Sequence, residues 1–195
     1  FCRVPKTRPR RPLATIRASL VRQVDRLGRA CTRGHDLVLV DQAPFAYLGW
    51  LVERLAEAGF AGATLHVQAR VDVLLAGMAR FESALALART HGMRLSPYLI
   101  GIESFSDQEL RTLHKGTSAA QNERLLVELD RLAAAWPEAL ATEGWSFGFL
   151  LWTQADCSAG DKSRADKGED KNRIKRFGSR FFSHDVTFSA LCWPG

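Results

Sequence analysis

The sequence predicts an α/β fold in which βα units build a parallel sheet. Short apolar runs rich in β-branched residues alternate with longer segments in which apolar residues recur every three or four positions. No apolar run in the 195 residues approaches the ~20 that a membrane helix needs, which favours a soluble globular core. Parallel strands joined by helices have right-handed crossovers, and such folds bind ligands beyond the carboxyl ends of their strands.

Five segments carry helix signals. An apolar stripe at three- and four-residue steps defines the first, and prolines, glycines and capping pairs mark the ends of the others. Ser106 with Glu109, and Ser118 with Gln121, have the spacing of a capping box. The predicted helices cover residues 13–31, 44–59, 73–90, 106–116 and 118–135.

Four short apolar segments are typical of buried strands in a parallel sheet. The predicted strands cover residues 36–41, 63–68, 95–102 and 145–153. Their carboxyl ends would lie along one edge, which would carry Asp41, residues 68–72, the pair Glu103-Ser104, and Thr153. We therefore expect this edge to bear the function.

The net charge of +6 is unevenly distributed along the chain. Residues 1–33 hold ten basic residues and one acidic residue, whereas residues 34–153 hold nine basic and fourteen acidic residues. An acidic body argues against simple nucleic-acid binding, which requires a basic face on the folded part. Residues 154–195 begin with a charged stretch that has few large apolar side chains, so we predict a disordered tail after a domain covering residues 1–153.

Several common site motifs are absent. The sequence contains no GxxxxGK[ST] loop, no GxGxxG, no GxSxG elbow and no HExxH. The four cysteines do not have zinc-ribbon or zinc-finger spacing, and four are too few for a disulfide scaffold of this size. His66, within a predicted strand, is interpreted as a core histidine.

One stretch resembles a known family. Residues 99–122 read LIGIESFSDQELRTLHKGTSAAQN, similar to radical SAM proteins that read IGIES, then a short helix, then NKGT, with His114 here in place of the asparagine. Residues 68–72 and 147–153 resemble two further strands of that family. Phe1-Cys2 looks like the end of its CxxxCxΦC signature, so the resemblance covers residues 1–153 and ends where the tail begins.

The resemblance implies a partial (β/α) barrel, incomplete at both ends in this chain. It implies a [4Fe–4S] cluster held by three thiolates, one of them from Cys2, with S-adenosylmethionine bound to the open iron. Reductive cleavage of S-adenosylmethionine would then start radical chemistry on an unknown substrate. A single signature cysteine cannot hold such a cluster, so we expect this chain to be an inactive fragment of a cytoplasmic enzyme that needs an external reductant.

The resemblance also implies a cofactor-binding edge. Glu103 would contact the ribose hydroxyls or the amino group of S-adenosylmethionine, and Ser104 would lie beside it. Gly101 would let the backbone approach the ligand closely. Arg70 and Asp72 would lie near the barrel mouth. From the residues alone, Arg70 and Asp72 could equally form an ion pair with each other, and Glu103 could simply cap the turn that follows it.

Two other interpretations stay open. The chain could be a non-catalytic βα module whose basic arm, with Arg8, Arg10 and Arg11, binds nucleic acid or a protein partner. Nucleic acid is the less favoured partner, and a membrane is not expected. The change in character at Gln154 could also mark a frameshift or a fusion.

Overall fold

A computed structural model describes residues 11–30, 36–41, 43–143 and 147–149 of the chain. The predicted tail, Cys2 and the other three cysteines lie outside these residues. Most of the segment that resembles the radical SAM family is included. Among the described residues, no helix has both the length and the apolar character required to cross a bilayer.

The described chain is a mixed α/β structure whose strands are parallel, as the alternation of segments predicted. Helix α1 is followed by β1, and a short 3₁₀ turn at Pro44–Ala46 leads into α2, which ends in a π turn at Ala56–Phe60. The helices are α1 Leu13–Ala30, α2 Leu48–Leu55, α3 Val71–Ala76, α4 Met78–Thr90, α5 Asp107–Thr112 and α6 Ala119–Ala135. The strands are β1 Leu37–Leu39, β2 Thr64–Gln68, β3 Arg94–Tyr98, β4 Ile100–Glu103 and β5 Phe147–Phe149.

The strands form two small open sheets. One has the order β1-β2-β3, and in the other β4 pairs with β5; every pairing is parallel. Leu95 of β3 also forms a parallel bridge with Leu140, which extends the sheet toward the segment before β5. Within the described part of the chain, no strand pairs with the outer edge of β1, so the sheet is open and does not close into a barrel.

Two predicted elements are each divided in the structure. The strand predicted over residues 95–102 is two strands, because Leu99 adopts a left-handed φ of 48° that interrupts the pleat. The helix predicted over residues 73–90 begins earlier, at Val71, and is divided at Gly77. The ring of Phe45 lies against Gly77, where an added Cβ would come within 2.5 Å of Phe45 Cδ2. Tertiary packing at Gly77 thus separates α3 from α4.

The hydrophobic core lies between the three-stranded sheet and the helices that cover one face of that sheet. Leu65 and Leu95 stand opposite each other in register on β2 and β3, and both are buried. Helices α2, α4 and α6 cover this face with fully buried leucines and with Phe81, which makes an edge-to-face contact with Phe45. The alternate strand residues, such as His66 and Ser96, face the other side. This packing leaves the carboxyl ends of β2 and β4 available to carry polar side chains.

Candidate functional site

The carboxyl end of β4 has an unusual backbone. Glu103, its last residue, has a φ of 66°, and the Ser104 N–H donates to the Ile102 carbonyl at 2.8 Å. A hydrogen bond across one central residue with positive φ is the pattern of the rare, strained form of the γ-turn. Strained residues of this kind cluster at functional sites, where the surrounding structure holds them in place. The strain therefore marks Glu103 as a candidate for function.

Glu103 forms an ion pair with a residue on the loop between α5 and α6. Its Oε1 lies 2.6 Å from Lys115 Nζ, and the two side chains are 13% and 24% exposed. Gly101, two residues earlier on the same face of β4, lies directly beside this pair. An added Cβ at Gly101 would be 2.7 Å from Glu103 Oε1 and 2.9 Å from Lys115 Nζ. The missing side chain of Gly101 thus provides the space that the ion pair occupies.

Arg70 comes to the same place from the end of β2. Its Nε and Nη2 donate to the two carboxylate oxygens of Asp72 at 3.0 and 3.1 Å, and Nη2 also donates to the Lys115 carbonyl at 3.2 Å. Asp72 lies in the first turn of α3, where a negative charge is favoured by the helix dipole. The Arg70 side chain remains 49% exposed although it is paired. Arg70 and Asp72 do form an ion pair, one of the two interpretations left open by the sequence.

The loop that carries Lys115 is held at both ends. His114 and Gly116 have φ values of 51° and 71°, so the backbone is left-handed on both sides of the lysine. Asp107, at the start of α5, accepts a hydrogen bond from the Ala119 N–H of α6 at 2.8 Å. Ser118 begins α6 with a complete capping box. These contacts fix where the Lys115 ammonium group and carbonyl lie.

Ser104 is buried and serves the turn after β4. Its hydroxyl accepts from the Ser106 N–H at 2.9 Å and donates to Glu109 Oε2 at 2.6 Å. Ser106 caps α5 as predicted, but the Glu109 carboxylate binds Ser104. The turn is therefore tied by Glu109, whereas Glu103 is directed to Lys115. The structural role of Ser104 is to order the residues after Glu103. Its predicted contact with the cofactor stays a prediction.

The carboxyl end of β1 is occupied by its own turn. Asp41 accepts hydrogen bonds from the Ala43 N–H at 2.9 Å and from the Tyr47 hydroxyl. Burial, together with this hydrogen bond, raises the pKa of Tyr47 above its usual value. Asp41 thus binds groups of the segment between β1 and α2, and the polar groups that meet at the edge come from β2, β4 and the α5–α6 loop.

His66 differs from the satisfied core histidine that the sequence suggested. Its Nε2 lies 3.5 Å from Asp36 Oδ2, but its Nδ1 is buried and has no hydrogen-bond partner within the described residues. Ser96, its register neighbour on β3, is also buried with an unpartnered hydroxyl there. Desolvation raises the pKa of Asp36. The hydrogen bond from the Thr64 N–H and the interaction with the His66 ring together have a larger effect in the opposite direction, so the pKa of Asp36 lies below its usual value.

The structure brings together Gly101, Glu103 and Arg70 of the predicted site, and it adds Lys115. Sequence reasoning noted Lys115 only as part of the KGT phrase, and that phrase was the signal that could have identified it. The predicted metal ligand Cys2 and the arm residues Arg8 and Arg10 lie outside the described residues. In the part that is described, no group of three or more His, Cys, Asp or Glu side chains could hold a metal ion. No protein-family model matches the chain, and no curated protein matches it.

Proposed function

We propose that this chain is the central βα part of a radical SAM enzyme of the cytoplasm and that the edge formed by Glu103, Lys115 and Arg70 binds S-adenosylmethionine. The observation that supports this most is the ion pair of Glu103 with Lys115 beside Gly101. It joins the IGIES and KGT phrases, which carry the resemblance, into one polar site at the carboxyl end of a parallel strand. In the proposed fold, the two open sheets are part of an incomplete (β/α) barrel.

The residues at this edge fit the polar groups of S-adenosylmethionine. The Glu103 carboxylate has two oxygens that can accept hydrogen bonds from ribose hydroxyls or from an ammonium group. Among the described residues, only Oε1 is paired, with Lys115 Nζ at 2.6 Å. The Arg70 side chain is half-exposed, and a guanidinium has further N–H donors that can bind a ligand carboxylate beside Asp72. Gly101 leaves room for the Glu103–Lys115 pair to lie against β4, which holds the Glu103 carboxylate at the carboxyl end of the strand.

Each residue then has a defined role toward the cofactor. Glu103 accepts hydrogen bonds from the ribose hydroxyls or the amino group, Lys115 holds the Glu103 carboxylate in position, and Arg70 anchors the Lys115 carbonyl through Nη2. If a reductant supplied one electron to an iron–sulfur cluster bound here, the cluster would provide the reductive cleavage of S-adenosylmethionine that starts radical chemistry on the substrate. Of the three thiolate ligands that such a cluster needs, Cys2 is the one that we propose this chain supplies.

The experiment that tests this proposal is a binding titration of the full chain with S-adenosylmethionine by calorimetry. A charge-assisted hydrogen bond contributes about 1.5–3 kcal/mol, so Glu103→Gln should weaken binding roughly 10- to 100-fold. Glu143→Gln is the matched control, because Glu143 forms a comparable ion pair with Arg94 at 2.8 Å on an exposed part of the surface. Equal affinities of the two variants, or no binding by the wild-type chain, would refute the proposal.

The cluster is tested separately, by anaerobic reconstitution with iron and sulfide. The four cysteines of this chain do not have the spacing of a three-thiolate signature. We therefore expect cluster absorption far below one cluster per chain. Stoichiometric absorption would show that the chain by itself supplies the ligands.

A further inference from the structure

Asn122 is a polar residue in an apolar position. It lies in the first turn of α6, on the same helix face as Leu125, Leu126 and Leu129, and none of its surface is exposed. A buried amide is unfavourable unless its hydrogen bonds are made. The side-chain Nδ2 makes two: it donates to the Ile102 carbonyl at 2.8 Å and to the Ser104 carbonyl at 2.7 Å.

These two carbonyls stand on either side of Glu103. The Ile102 carbonyl also accepts the Ser104 N–H at 2.8 Å, the bond that closes the turn around the positive φ of Glu103. Left-handed backbone is unfavourable for a glutamate, since its Cβ approaches the carbonyl oxygen that follows. The Asn122 amide is therefore placed where it can hold the carbonyl that closes this strained turn and the carbonyl of the residue that directly follows Glu103.

The other half of the Asn122 side chain has no structural use in the described residues. Its Oδ1 is buried and has no hydrogen-bond partner there. An unsatisfied buried oxygen destabilises a protein, and a leucine would continue the apolar face of α6 without it. Residues that break a local rule in this way are expected where function requires them.

We propose that Asn122 is a positioning residue that locks Glu103 in its left-handed conformation and so directs the Glu103 carboxylate to Lys115 and to the bound ligand. The first half of this statement concerns the backbone alone. The second half rests on the function proposed above. The two halves therefore need separate measurements.

The backbone half is tested by amide hydrogen exchange at single residues, measured by NMR on the full chain. In Asn122→Leu, loss of two hydrogen bonds should make the Ser104 amide exchange about 30-fold faster, beyond any change at the Leu126 amide of α6. The control is Leu125→Ala, which creates a cavity on the same buried face of α6 and should change both amides by the same factor. If Asn122→Leu also changes both amides equally, Asn122 is only a core residue and the proposal is wrong.

A milder variant covers the case in which Asn122→Leu does not fold. Asn122→Ser keeps one donor, so the Ser104 amide should exchange about 5-fold faster relative to Leu126. The same comparison with Leu125→Ala applies. No excess exchange at Ser104 in this variant would overturn the proposal as well.

The functional half is tested by titrating the same variants with S-adenosylmethionine. Asn122→Leu should bind at least 10-fold more weakly than the wild-type chain, whereas Leu125→Ala should bind within about threefold of it. Excess exchange at Ser104 with unchanged affinity would refute the functional half. If the wild-type chain does not bind S-adenosylmethionine, the proposed function fails, and the exchange result still decides whether Asn122 locks the turn.

Discussion

Replacing Gly101 with alanine should weaken ligand binding at the site with little change in the stability of the protein. The added Cβ would lie 2.7 Å from Glu103 Oε1 and 2.9 Å from Lys115 Nζ, and real Cβ atoms essentially never come closer than 3.0 Å to another heavy atom. Both atoms are at the ends of flexible side chains, and Gly101 has no positive φ that would exclude alanine. The side chains should therefore move, while the backbone of β4 stays in place.

The change in stability should be small. Alanine restricts the unfolded chain, which stabilises the protein by about 0.4–1 kcal/mol where the native backbone accepts it. Disturbing an ion pair costs about 0.2–1 kcal/mol when the pair is exposed, and somewhat more for the largely buried pair of Glu103 and Lys115. These effects oppose each other, so the free energy of unfolding should change by no more than about 1 kcal/mol. For a domain of this size, the melting temperature should shift by about 3 °C or less.

The effect on ligand binding should be larger. A displaced Glu103 carboxylate loses a charge-assisted hydrogen bond to the ligand, so S-adenosylmethionine should bind at least 10-fold more weakly. Calorimetric titration gives the affinity, and thermal unfolding of the same samples gives the stability. The matched control is Gly49→Ala in α2, where the new Cβ would meet only Leu87 Cδ1 at 3.0 Å. It should leave the affinity unchanged.

Two results would refute this reasoning. A loss of more than about 3 kcal/mol in Gly101→Ala would mean that the ion pair cannot move and that the site is rigid. A stable Gly101→Ala variant that binds S-adenosylmethionine as well as Gly49→Ala would mean that the space beside the ion pair is not part of the ligand site.

Two further substitutions test other parts of the structure. Gly116→Ala should lower the free energy of unfolding by about 1–2 kcal/mol in a denaturant titration, because the φ of 71° at this position is unfavourable for alanine. Space is not the cause, since the nearest atom, Arg70 Nη2, would be 3.9 Å from the new Cβ. Gly116→Asn should lose less stability, and an equal loss in the two variants would contradict the argument. Hydrogen bonds from Arg131 and Trp136 lower the pKa of Glu82, so this carboxylate stabilises the fold above its unfolded-state pKa and the contribution disappears as the pH falls through its folded-state value. Glu82→Gln should therefore be less stable than the wild-type protein at pH 7, and it should lose less stability than the wild-type protein on acidification to pH 3. Parallel curves of unfolding free energy against pH for the two proteins would show that the pairing of Glu82 has no effect.

Much of the fold could be predicted because its signals are local. The alternation of short apolar runs and amphipathic segments predicted parallel strands joined by helices, and the capping box at Ser118 predicted where α6 begins. The interruptions at Gly77 and Leu99 could not be predicted in the same way. The first follows from the Phe45 ring of another element, and the second places an ordinary leucine in a left-handed conformation.

The site was predictable only in part, for the same reason. Glu103 ends β4 and Arg70 follows β2, so both could be assigned to the carboxyl edge from their positions alone. Asn122 could have been noticed as a polar residue on an apolar helix face. Its two carbonyl partners, about 20 residues earlier, could not be inferred from that face.

The sequence by itself determined the α/β class, the parallel direction of the strands and the edge at which polar residues follow them, because these properties depend on the period and punctuation of short segments. The tertiary structure alone decided that Lys115 meets both the Glu103 carboxylate and, 45 residues away in the chain, the Arg70 guanidinium. It also decided that the sheet is open and does not close into a barrel within the described residues. The reason is physical: local propensity governs which residues form a strand or helix, whereas contacts between distant residues depend on how those elements pack and on strained turns that only packing can hold.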